Sequence, residues 1–496
     1  MKKINKFVSE NLLHILIILC GIIVIAIPAF HSNIWFDESY SVALANHSFA
    51  EIWQIGAHDV HPILYYYILK IVSIIFGTNI MIYRVLSIIP VVILGIIGMT
   101  HISKDFGKKV GILFTFLTFF MPTILVYGIE IRMYTWALLF VSLAMIYLNR
   151  FIKNNKTKHM IVFIIFSLLS CYTHYYALIC MGIANLLFTI YIIKNNKKID
   201  KKIIKRAVIL EIVQVLLYIP WIFAFIIQIT NVSNGFWITI KFPDIILDIF
   251  NFQFRADNYL NEYITFVFSV ILYLYMGYVI VKNGKKIKED KTPLISLGIY
   301  LSVIVLATLA SIIMTSAILY DRYLFTITGL LIFPLAYFLI KENNKVIILA
   351  ICSILLILSI VTTILQVEEN YHYSNTNPIE YLEQNVKEND SIVYKNVGEG
   401  FVVSTVFNNQ NQYFLNENNW NIEEAYKAYS PNMEVAYNIN YIINSTEGNI
   451  VLIDDCNETL LNKVKETSET ELKEVDKKFF KTKYQDYQYN IIVLQK

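Results

Sequence analysis

One stretch near the start of the chain, residues 35–67, concentrates side chains that can do chemistry. It reads WFDESYSVALANHSFAEIWQIGAHDVHPILYYY and directly follows the first long apolar run. Ionisable groups this close to the hydrocarbon phase are costly, so we take them as candidates for function. A carboxylate there can remove a proton from a hydroxyl group, and an imidazole can bind a substrate or a metal. The candidates in this stretch are Asp37, Glu38, His58, Asp59, His61 and Tyr65.

Other roles for these residues must be considered beside catalysis. Asp37 and Glu38 would both suit the N-terminus of an interfacial helix, where acids are stabilised by the helix dipole. His58, Asp59 and His61 have a spacing that permits a divalent metal, but the sequence assures no third ligand. We therefore favour a structural or substrate-contacting role for these three residues, and we predict no metal site.

Cations and phenols occur in four further stretches, YRVLS, YGIEIRMYTW, CYTHYYA and YDRYLF. Arginine together with tyrosine can bind an anionic headgroup. Three of these stretches also have a structural explanation. Glu130 and Arg132 can form an ion pair at a helix end. Arg322 can snorkel towards water, and His174 can be a core histidine. The candidates in these stretches are Arg84, Glu130, Arg132, Tyr134, His174, Arg322 and Tyr323.

The composition indicates which elements must position these residues. The chain has 496 residues, of which 56% are hydrophobic and 16% charged, and its mean hydropathy is +0.53. Soluble proteins carry about 25% charged residues, so this composition excludes a soluble enzyme and predicts a polytopic α-helical membrane protein. Its five cysteines are scattered, without the spacing of a metal site or a disulfide framework. We predict no nucleic-acid partner.

Clusters of lysine and arginine predict the topology, because such clusters stay on the cytoplasmic side. If the N-terminus is cytoplasmic, the positions of these clusters are consistent with about eleven membrane spans. The candidate residues then fall on the outer side of the membrane. The apolar run 63–76 is about 14 residues long, which is short for a span, and we predict an interfacial or re-entrant helix there. The predicted spans are 11–30, 80–101, 110–127, 134–150, 160–174, 176–193, 207–229, 261–281, 293–317, 323–340 and 346–366.

The charge distribution predicts two regions with a boundary near Val367. From residue 367 onward the net charge is about −10, which leaves about +13 for the remainder. We predict a transmembrane domain over 1–366, which includes an outer-face catalytic loop at 31–79. Alternating helical and strand patterns from Asn377 predict a C-terminal α/β domain within 367–496. An odd number of spans places that domain outside the cytoplasm, and it shows no phosphate loop and no catalytic pairing.

Taken in order, WFDESY, DVHPILYYY, YRVLS, EIRMY and DRYLF resemble the motifs of glycosyltransferase family 39. That family includes protein O-mannosyltransferases and the aminoarabinose transferase of lipid A, and it has the GT-C membrane fold. The resemblance covers roughly residues 10–340. Its best-known members often carry two prolines after a lysine or histidine, whereas this chain has only His61–Pro62, which leaves the substrate open.

The resemblance implies that a sugar moves, with inversion, from a polyprenyl-phosphate-linked donor to an acceptor glycan, lipid or protein. The reaction would take place on the outer face of a bacterial plasma membrane and serve the cell envelope. The scheme requires no cofactor, which agrees with the lack of a nucleotide-binding loop in the sequence, and it is compatible with a divalent metal.

The resemblance also implies roles for residues of this chain. Asp37 would be the general base, and Glu38 would orient the loop or the acceptor. Arg132 and Arg322 would stabilise the charge on the leaving phosphate. The supporting donor-binding candidates are His61, Arg84, Glu130, Tyr134 and Tyr323. The candidates for substrate contacts are His58, Asp59, Tyr65 and His174.

Two other functional classes fit part of the pattern. A transporter or lipid flippase also places charges near membrane helices, but it should carry them near mid-membrane, on broken helices in repeated halves. A non-catalytic subunit of a cell-envelope polymer assembly system could use the outer domain for binding. A glycosyltransferase that acts on cell-wall polymers remains within the favoured class.

Overall fold

The structure is a computed structural model of the 496-residue chain. It describes residues 2–31, 34–233, 244–256, 259–284, 290–314, 318–372, 378–407, 411–416, 428–430, 433–481 and 488–496. The chain divides into two compact units. The first consists of 1–29, 53–65 and 84–365, and the second of 30–52, 66–83 and 366–496.

The first unit is helical, and its long helices confirm a multi-pass membrane protein. Within the described residues, eight helices are long and apolar enough to cross a membrane, and a ninth span results if one bent pair is counted. The last of the eight begins in the first unit and continues into the second. These helices cover Lys6–Ala29, Ile80–Phe106, Tyr134–Asn154, Tyr175–Lys194, Lys201–Thr230, Glu262–Lys282, Thr292–Met314 and Lys345–Tyr371.

The predicted spans differ from these helices at a proline, at a bend and at one short helix. The predicted span 110–127 is divided into Lys108–Phe120 and Pro122–Tyr127, because Pro122 forces Met121 into an extended conformation. The predicted span 323–340 is a 3-10 helix, Asp321–Ile327, followed after a 66° bend by Gly329–Glu342. The helix Thr157–Cys171 has only 15 residues. The count of eleven therefore stays a prediction.

Shorter elements connect and flank the long helices. The apolar run after His61 forms a 13-residue helix, Leu64–Phe76, about 20 Å long, which is too short for a hydrocarbon core of about 30 Å. Its predicted place at the membrane interface stays a prediction. The other short elements are the helices Phe49–Gly56, Ser103–Phe106 and Asp244–Asn251, the 3-10 turns Ile27–Ala29 and Phe252–Phe254, and the π-helical turn Gly98–Ile102.

The second unit contains a six-stranded sheet in the order β3-β2-β1-β4-β6-β5. Strands β3, β2, β1 and β4 are parallel to one another. Strand β6 is antiparallel to both β4 and β5. The strands are β1 (Ser391–Tyr394), β2 (Asn411–Leu415), β3 (Met433–Ala436), β4 (Ile450–Asp455), β5 (Lys473–Lys481) and β6 (Gln488–Gln495). The helices are Pro378–Asn385, Val397–Val406, Ile439–Ser445 and Thr459–Thr467.

Strands β1, β4 and β6 are buried almost throughout, as expected for the centre of a sheet covered on both faces. One core contains Ile392, Tyr394 and Phe401, and the opposite core contains Val393, Leu452 and Leu460. The prediction of a C-terminal α/β domain is confirmed, with helices and strands at the predicted NPIEYLEQN, DSIVY, GNIVLIDD, ETLLNKVKE and YNIIVLQ stretches. Asn377, its predicted start, lies outside the described residues.

The helix Phe36–Asn46 belongs to this second unit. The Phe36 ring stacks on Phe401 with a centroid distance of 5.6 Å and lies 5.9 Å from Tyr429. The imidazole of His47 is hydrogen-bonded through Nε2 to the Ala428 carbonyl oxygen at 2.9 Å. Aromatic packing therefore fixes the helix whose first turn contains Asp37 and Glu38.

A close contact between two helical segments of the first unit can be tested by substitution. A Cβ on Gly111 would overlap the Ser103 hydroxyl oxygen and the Gly98 carbonyl oxygen, whereas a Cβ on Gly182 would meet no atom. We expect Gly111→Ala to destabilise the protein by about 1–3 kcal/mol through overpacking. Gly182→Ala is the matched control and should leave the melting temperature of the purified protein unchanged or raised. Equal melting temperatures for the two variants would contradict the close contact.

Candidate functional site

Aromatic and imidazole rings from four parts of the first unit form one cluster. The His61 and His174 ring centroids are 5.6 Å apart, and Tyr323 lies 5.9 Å from His61 and 5.0 Å from His174. Tyr134 lies 5.9 Å from His174, and Tyr176 lies 5.5 Å from Tyr323. Four of the sequence candidates, His61, Tyr134, His174 and Tyr323, therefore meet although they are up to 262 positions apart in the chain.

The loop that carries His61 is fixed from both sides. Gln228 donates from Nε2 to the Gly56 carbonyl oxygen at 2.7 Å, and Leu64 donates its backbone N–H to the Tyr172 carbonyl oxygen at 2.9 Å. Trp53 packs edge-on against the buried ring of Trp221, with a centroid distance of 5.1 Å. These contacts bring the loop next to the turn at 172–174, which ends with His174.

The segment that carries Arg322 and Tyr323 is fixed by a buried tyrosine. The Tyr176 hydroxyl donates to the Ile318 carbonyl oxygen at 2.9 Å and accepts the Tyr320 backbone N–H at 3.1 Å. Asp321 accepts from Arg255 Nη2 at 2.5 Å, and its other oxygen accepts the Arg322 backbone N–H at 2.8 Å. The Arg322 guanidinium then lies 5.0 Å from the centre of the Tyr320 ring and 5.9 Å from that of Tyr323.

The loop between Gly128 and Tyr134 carries the second guanidinium. Arg132 is 3% exposed and Glu130 is 6% exposed, and the Arg132 backbone N–H bonds to the Glu130 carbonyl oxygen at 2.7 Å. Arg84 is completely buried and donates from Nη1 to the Ile129 carbonyl oxygen at 3.1 Å. This bond makes Arg84 a residue that positions the loop.

Both imidazoles are held in their neutral form. Burial lowers the pKa of His61 well below its ordinary value, and Arg132, His174 and Arg322 lower it further. Burial, followed by Arg132 and Arg322, lowers the pKa of His174, in the turn before the helix Tyr175–Lys194, to about 3. The positive charge of the cluster therefore belongs to the two arginines. Both lie close enough to lower the pKa values of both imidazoles.

The hydrogen bonds of His174 define which ring nitrogen carries the proton. Nδ1 accepts the Tyr176 backbone N–H at 3.1 Å, so in the neutral ring the proton is on Nε2. His174 is 1% exposed, and its Nε2 has no hydrogen-bond partner among the described residues. A buried donor without a partner is costly, and a bound acceptor would remove that cost.

A cavity of about 210 Å³ opens beside this cluster. Its lining includes His61, His174, Tyr176, Gln228 and Tyr323, and most of the other lining side chains are aliphatic or aromatic. The helices Tyr134–Asn154 and Tyr175–Lys194 both begin at the cluster, and helix N-termini favour anions. Arg132 and Arg322 do not line the cavity, but both lie close enough to His61 and His174 to lower their pKa values. Together with the Nε2–H of His174, these nearby guanidiniums suit a phosphate attached to an apolar chain.

Asp37 and Glu38 occupy the first turn of the helix Phe36–Asn46 in the second unit. Glu38 is fully buried, and its Oε2 accepts the Trp35 backbone N–H at 3.4 Å, which is the capping role considered as an alternative. Asp37 is half-buried. The catalytic role of either residue stays a prediction.

The remaining candidates do not join the ring cluster. His58, three residues before the buried His61, is exposed. Its Nδ1 is hydrogen-bonded to the Gln54 carbonyl oxygen at 3.0 Å. Asp59 is half-buried, and Tyr65 is fully buried in the first turn of its helix. Across the described residues, no group of three or more His, Cys, Asp or Glu side chains could hold a metal ion.

Sequence reasoning missed three residues that build the site. Tyr176 lies in the quoted stretch CYTHYYA but was not selected, and Trp221 and Gln228 lie in a helix treated only as a span. A glutamine inside an apolar helix was the available signal, because polar side chains there usually have a partner within the protein. Nothing in the sequence indicates that this partner is the Gly56 carbonyl.

Comparisons with known proteins show which family and which solved structures the chain resembles. Residues 60–223, about one third of the chain, match the family model of dolichyl-phosphate-mannose-protein mannosyltransferase. No curated protein sequence matches the chain significantly. The crystal structure of ArnT from Cupriavidus metallidurans bound to undecaprenyl phosphate is similar, with a TM-score of 0.58 and 9% identity over 97% of both chains. The apo structure of ArnT from the same organism has a TM-score of 0.49 and 10% identity, also over 97% of both chains.

These findings confirm the resemblance to membrane glycosyltransferases of the GT-C fold that the motifs indicated. At 9% identity, the similarity to ArnT concerns the fold, and it extends over the transmembrane region and the C-terminal α/β domain. The candidates inside the segment matched by the family model are His61, Tyr65, Arg84, Glu130, Arg132, Tyr134 and His174.

The neutral imidazoles predict a loss of stability in acid. The folded-state pKa values of His61 and His174 lie below the ordinary value of 6.5, so both rings must bind protons when the chain unfolds in acid. Stability is therefore complete above about pH 6.5 and falls as the pH decreases towards the folded-state pKa. The loss is at most about 2 kcal/mol per histidine between about pH 6.5 and pH 5.

Thermal unfolding at about pH 7.5 and pH 5 measures this loss. The double variant His61→Gln with His174→Gln should lose less stability on acidification than the wild type. His58→Gln is the matched control, because His58 is exposed, and it should behave as the wild type does. Identical acid sensitivity of the wild type and the double variant would contradict neutral, buried imidazoles.

Proposed function

We propose that this protein is a membrane glycosyltransferase that transfers a sugar from a polyprenyl-phosphate-linked donor to an acceptor on the outer face of the plasma membrane. The observation that carries the proposal is the pair Arg132 and Arg322 close to two neutral imidazoles, and it is these imidazoles that line an apolar cavity. Most of this cluster lies in the segment that matches the mannosyltransferase family model. ArnT, whose fold the chain has, was crystallised with undecaprenyl phosphate, which supports a lipid of this class.

In the proposed reaction the acceptor oxygen attacks the anomeric carbon of the donor sugar. The bond between that carbon and the phosphate oxygen breaks, and the electron pair leaves with the polyprenyl phosphate. Direct displacement of this kind inverts the anomeric centre. The acceptor proton goes to Asp37, which we propose as the general base, and Glu38 holds the first turn of its helix.

The leaving phosphate gains negative charge in the transition state, and preorganised donors stabilise it. We assign this role to the Arg132 and Arg322 guanidiniums, with the His174 Nε2–H as a neutral donor. His61 and Tyr323 shape the phosphate pocket, and Tyr134 borders it. Arg84 acts through the Ile129 carbonyl, and Glu130 belongs to the loop that it positions.

We further propose a cytoplasmic N-terminus and an extracytoplasmic C-terminal domain, from the positions of the lysine clusters. The transmembrane domain would comprise residues 1–366 and the outer domain 367–496. His58, Asp59 and Tyr65 are proposed as acceptor contacts. No cofactor enters the proposed steps, and a divalent metal remains compatible with them.

Removal of the proposed base tests the chemistry. Asp37→Asn keeps the shape of the side chain and should reduce sugar transfer by about 10²- to 10⁴-fold. Purified wild type and variant would be compared on labelled polyprenyl-phosphate sugars, with an extract of membrane and cell-wall material as the acceptor. Asp200→Asn is the matched control, because Asp200 caps the helix Lys201–Ser233 and asparagine caps equally well.

Three outcomes are distinguishable in that assay. Turnover by the wild type and the control alone supports both the donor class and the base. Equal turnover by wild type and Asp37→Asn removes Asp37 as the base. No turnover with any donor by a folded protein would instead favour a transporter or a binding subunit.

Replacement of the guanidiniums tests the phosphate assignment. Arg132→Lys and Arg322→Lys keep the charge but lose the bidentate geometry, and each should lower kcat by about 10²-fold. Arg206→Lys serves as the control, because Arg206 bonds to Thr157 on an exposed surface. Unchanged kcat with an unchanged KM in both variants would contradict the assignment.

A further inference from the structure

A second, larger cavity lies at the other end of the same helices. It has a volume of about 600 Å³, within the range of about 300–1,000 Å³ typical of ligand pockets. The ring cluster lies at the starts of Tyr134–Asn154 and Tyr175–Lys194, whereas this cavity extends from Ser142 to the ends of both helices. The helix Tyr134–Asn154 is about 31 Å long, so the lysine-bearing end of the cavity is separated from the ring cluster by roughly the thickness of the hydrocarbon core.

The cavity is elongated along the helix Tyr134–Asn154. Its lining includes Ser142 and Lys153, which are eleven positions apart and therefore about 16 Å apart along the helix. Between these ends the lining is mainly Leu, Ile, Met and Phe side chains, and Ile190 and Ile295 are among its partly exposed members. An apolar volume of this length suits a hydrocarbon chain.

The mouth of the cavity carries positive charge. Lys153, Lys194, Asp290 and Lys291 all line it, and Lys153 donates to Asp290 Oδ2 at 2.9 Å. The Asp290 charge is thereby compensated, and neither Lys194 nor Lys291 forms an ion pair with a described residue. Basic pockets between transmembrane helices are known to bind anionic lipid headgroups.

A buried hydroxyl inside the cavity has no partner either. Ser142 is 6% exposed, and its Oγ has no hydrogen-bond partner among the described residues, although it lines the cavity. Gly329 leaves this hydroxyl its space, because a Cβ at that position would overlap the Ser142 oxygen. An ester carbonyl of a bound lipid could accept this hydrogen bond.

We propose that this cavity binds a bilayer phospholipid with an anionic headgroup, whose phosphate contacts Lys194 and Lys291 and whose acyl chain extends towards Ser142. The proposal rests on the cavity, its charge and the unpaired hydroxyl, and it does not depend on the proposed glycosyl transfer. The lipid would fill the space between six helices and stabilise their packing at the end opposite to the ring cluster.

Native mass spectrometry of the delipidated full-length protein tests this proposal. Phosphatidylglycerol should form one tight adduct, at least about 10-fold tighter than phosphatidylcholine. Lys194→Gln with Lys291→Gln should weaken it by about 30-fold, since each lysine contributes about 1 kcal/mol near an anionic lipid. Met145→Trp fills the cavity from its lining and should abolish the tight adduct.

Lys197→Gln with Lys198→Gln is the matched control, because both lysines are exposed nearby but do not line the cavity. It should bind phosphatidylglycerol as the wild type does. Equal weakening in the control and in the cavity variant would assign binding to general surface charge and overturn the proposal. An adduct that tolerates Met145→Trp, or one formed by inorganic phosphate without lipid, would also overturn it. Size-exclusion profiles establish that each variant is folded.

Discussion

The burial of the Arg132 guanidinium is the constraint on which the rest of the candidate site depends. A charged group withdrawn from water costs several kcal/mol unless other groups compensate for the lost hydration. Arg132 lies beside His61 and His174, which it helps to keep neutral, and Arg322 adds a second positive charge nearby. The two histidines therefore cannot share the positive charge, and the cluster remains a site that favours an anion.

Several elements of the first unit hold this unfavourable arrangement in place. Arg84 fixes the loop before Tyr134, Gln228 fixes the loop before His61, and Tyr176 fixes the segment before Arg322. Each contact joins a side chain to a backbone carbonyl of a loop, so the loops are positioned without regular secondary structure. The two helices that begin at the cluster add their N-terminal dipoles to the same field.

The sequence predicted the fold class well, because membrane spans and sheet strands follow from composition and periodicity. The short run after His61 was recognised as too short to cross a bilayer, and it forms the 13-residue helix Leu64–Phe76. The break at Pro122 was missed, although the residue before a proline is usually extended. The bend before Gly329 has no comparable signal, since no proline occurs between Asp321 and Gly329.

The candidate site was only partly predictable, for a different reason. His58 and His61 look equivalent in the sequence, yet one is exposed and the other is buried beside His174. Their difference arises from the Gly56–Leu64 loop, which is held by Gln228 and Tyr172, residues more than 100 positions away. Such long-range contacts depend on helix packing, which a single sequence does not specify. The roles of Asp37 and Glu38 still rest on the resemblance of WFDESY to its family.

The proposed site requires Arg132 and Arg322 to bind one phosphate together. A double-mutant cycle on the binding of undecaprenyl phosphate tests this requirement, with calorimetry of wild type, Arg132→Gln, Arg322→Gln and the double variant. Each single variant should bind more weakly, and the losses should not be additive, with a coupling of about 0.5–3 kcal/mol. Wild-type affinity in the double variant would contradict it, and strictly additive losses would show that the two arginines act on separate groups.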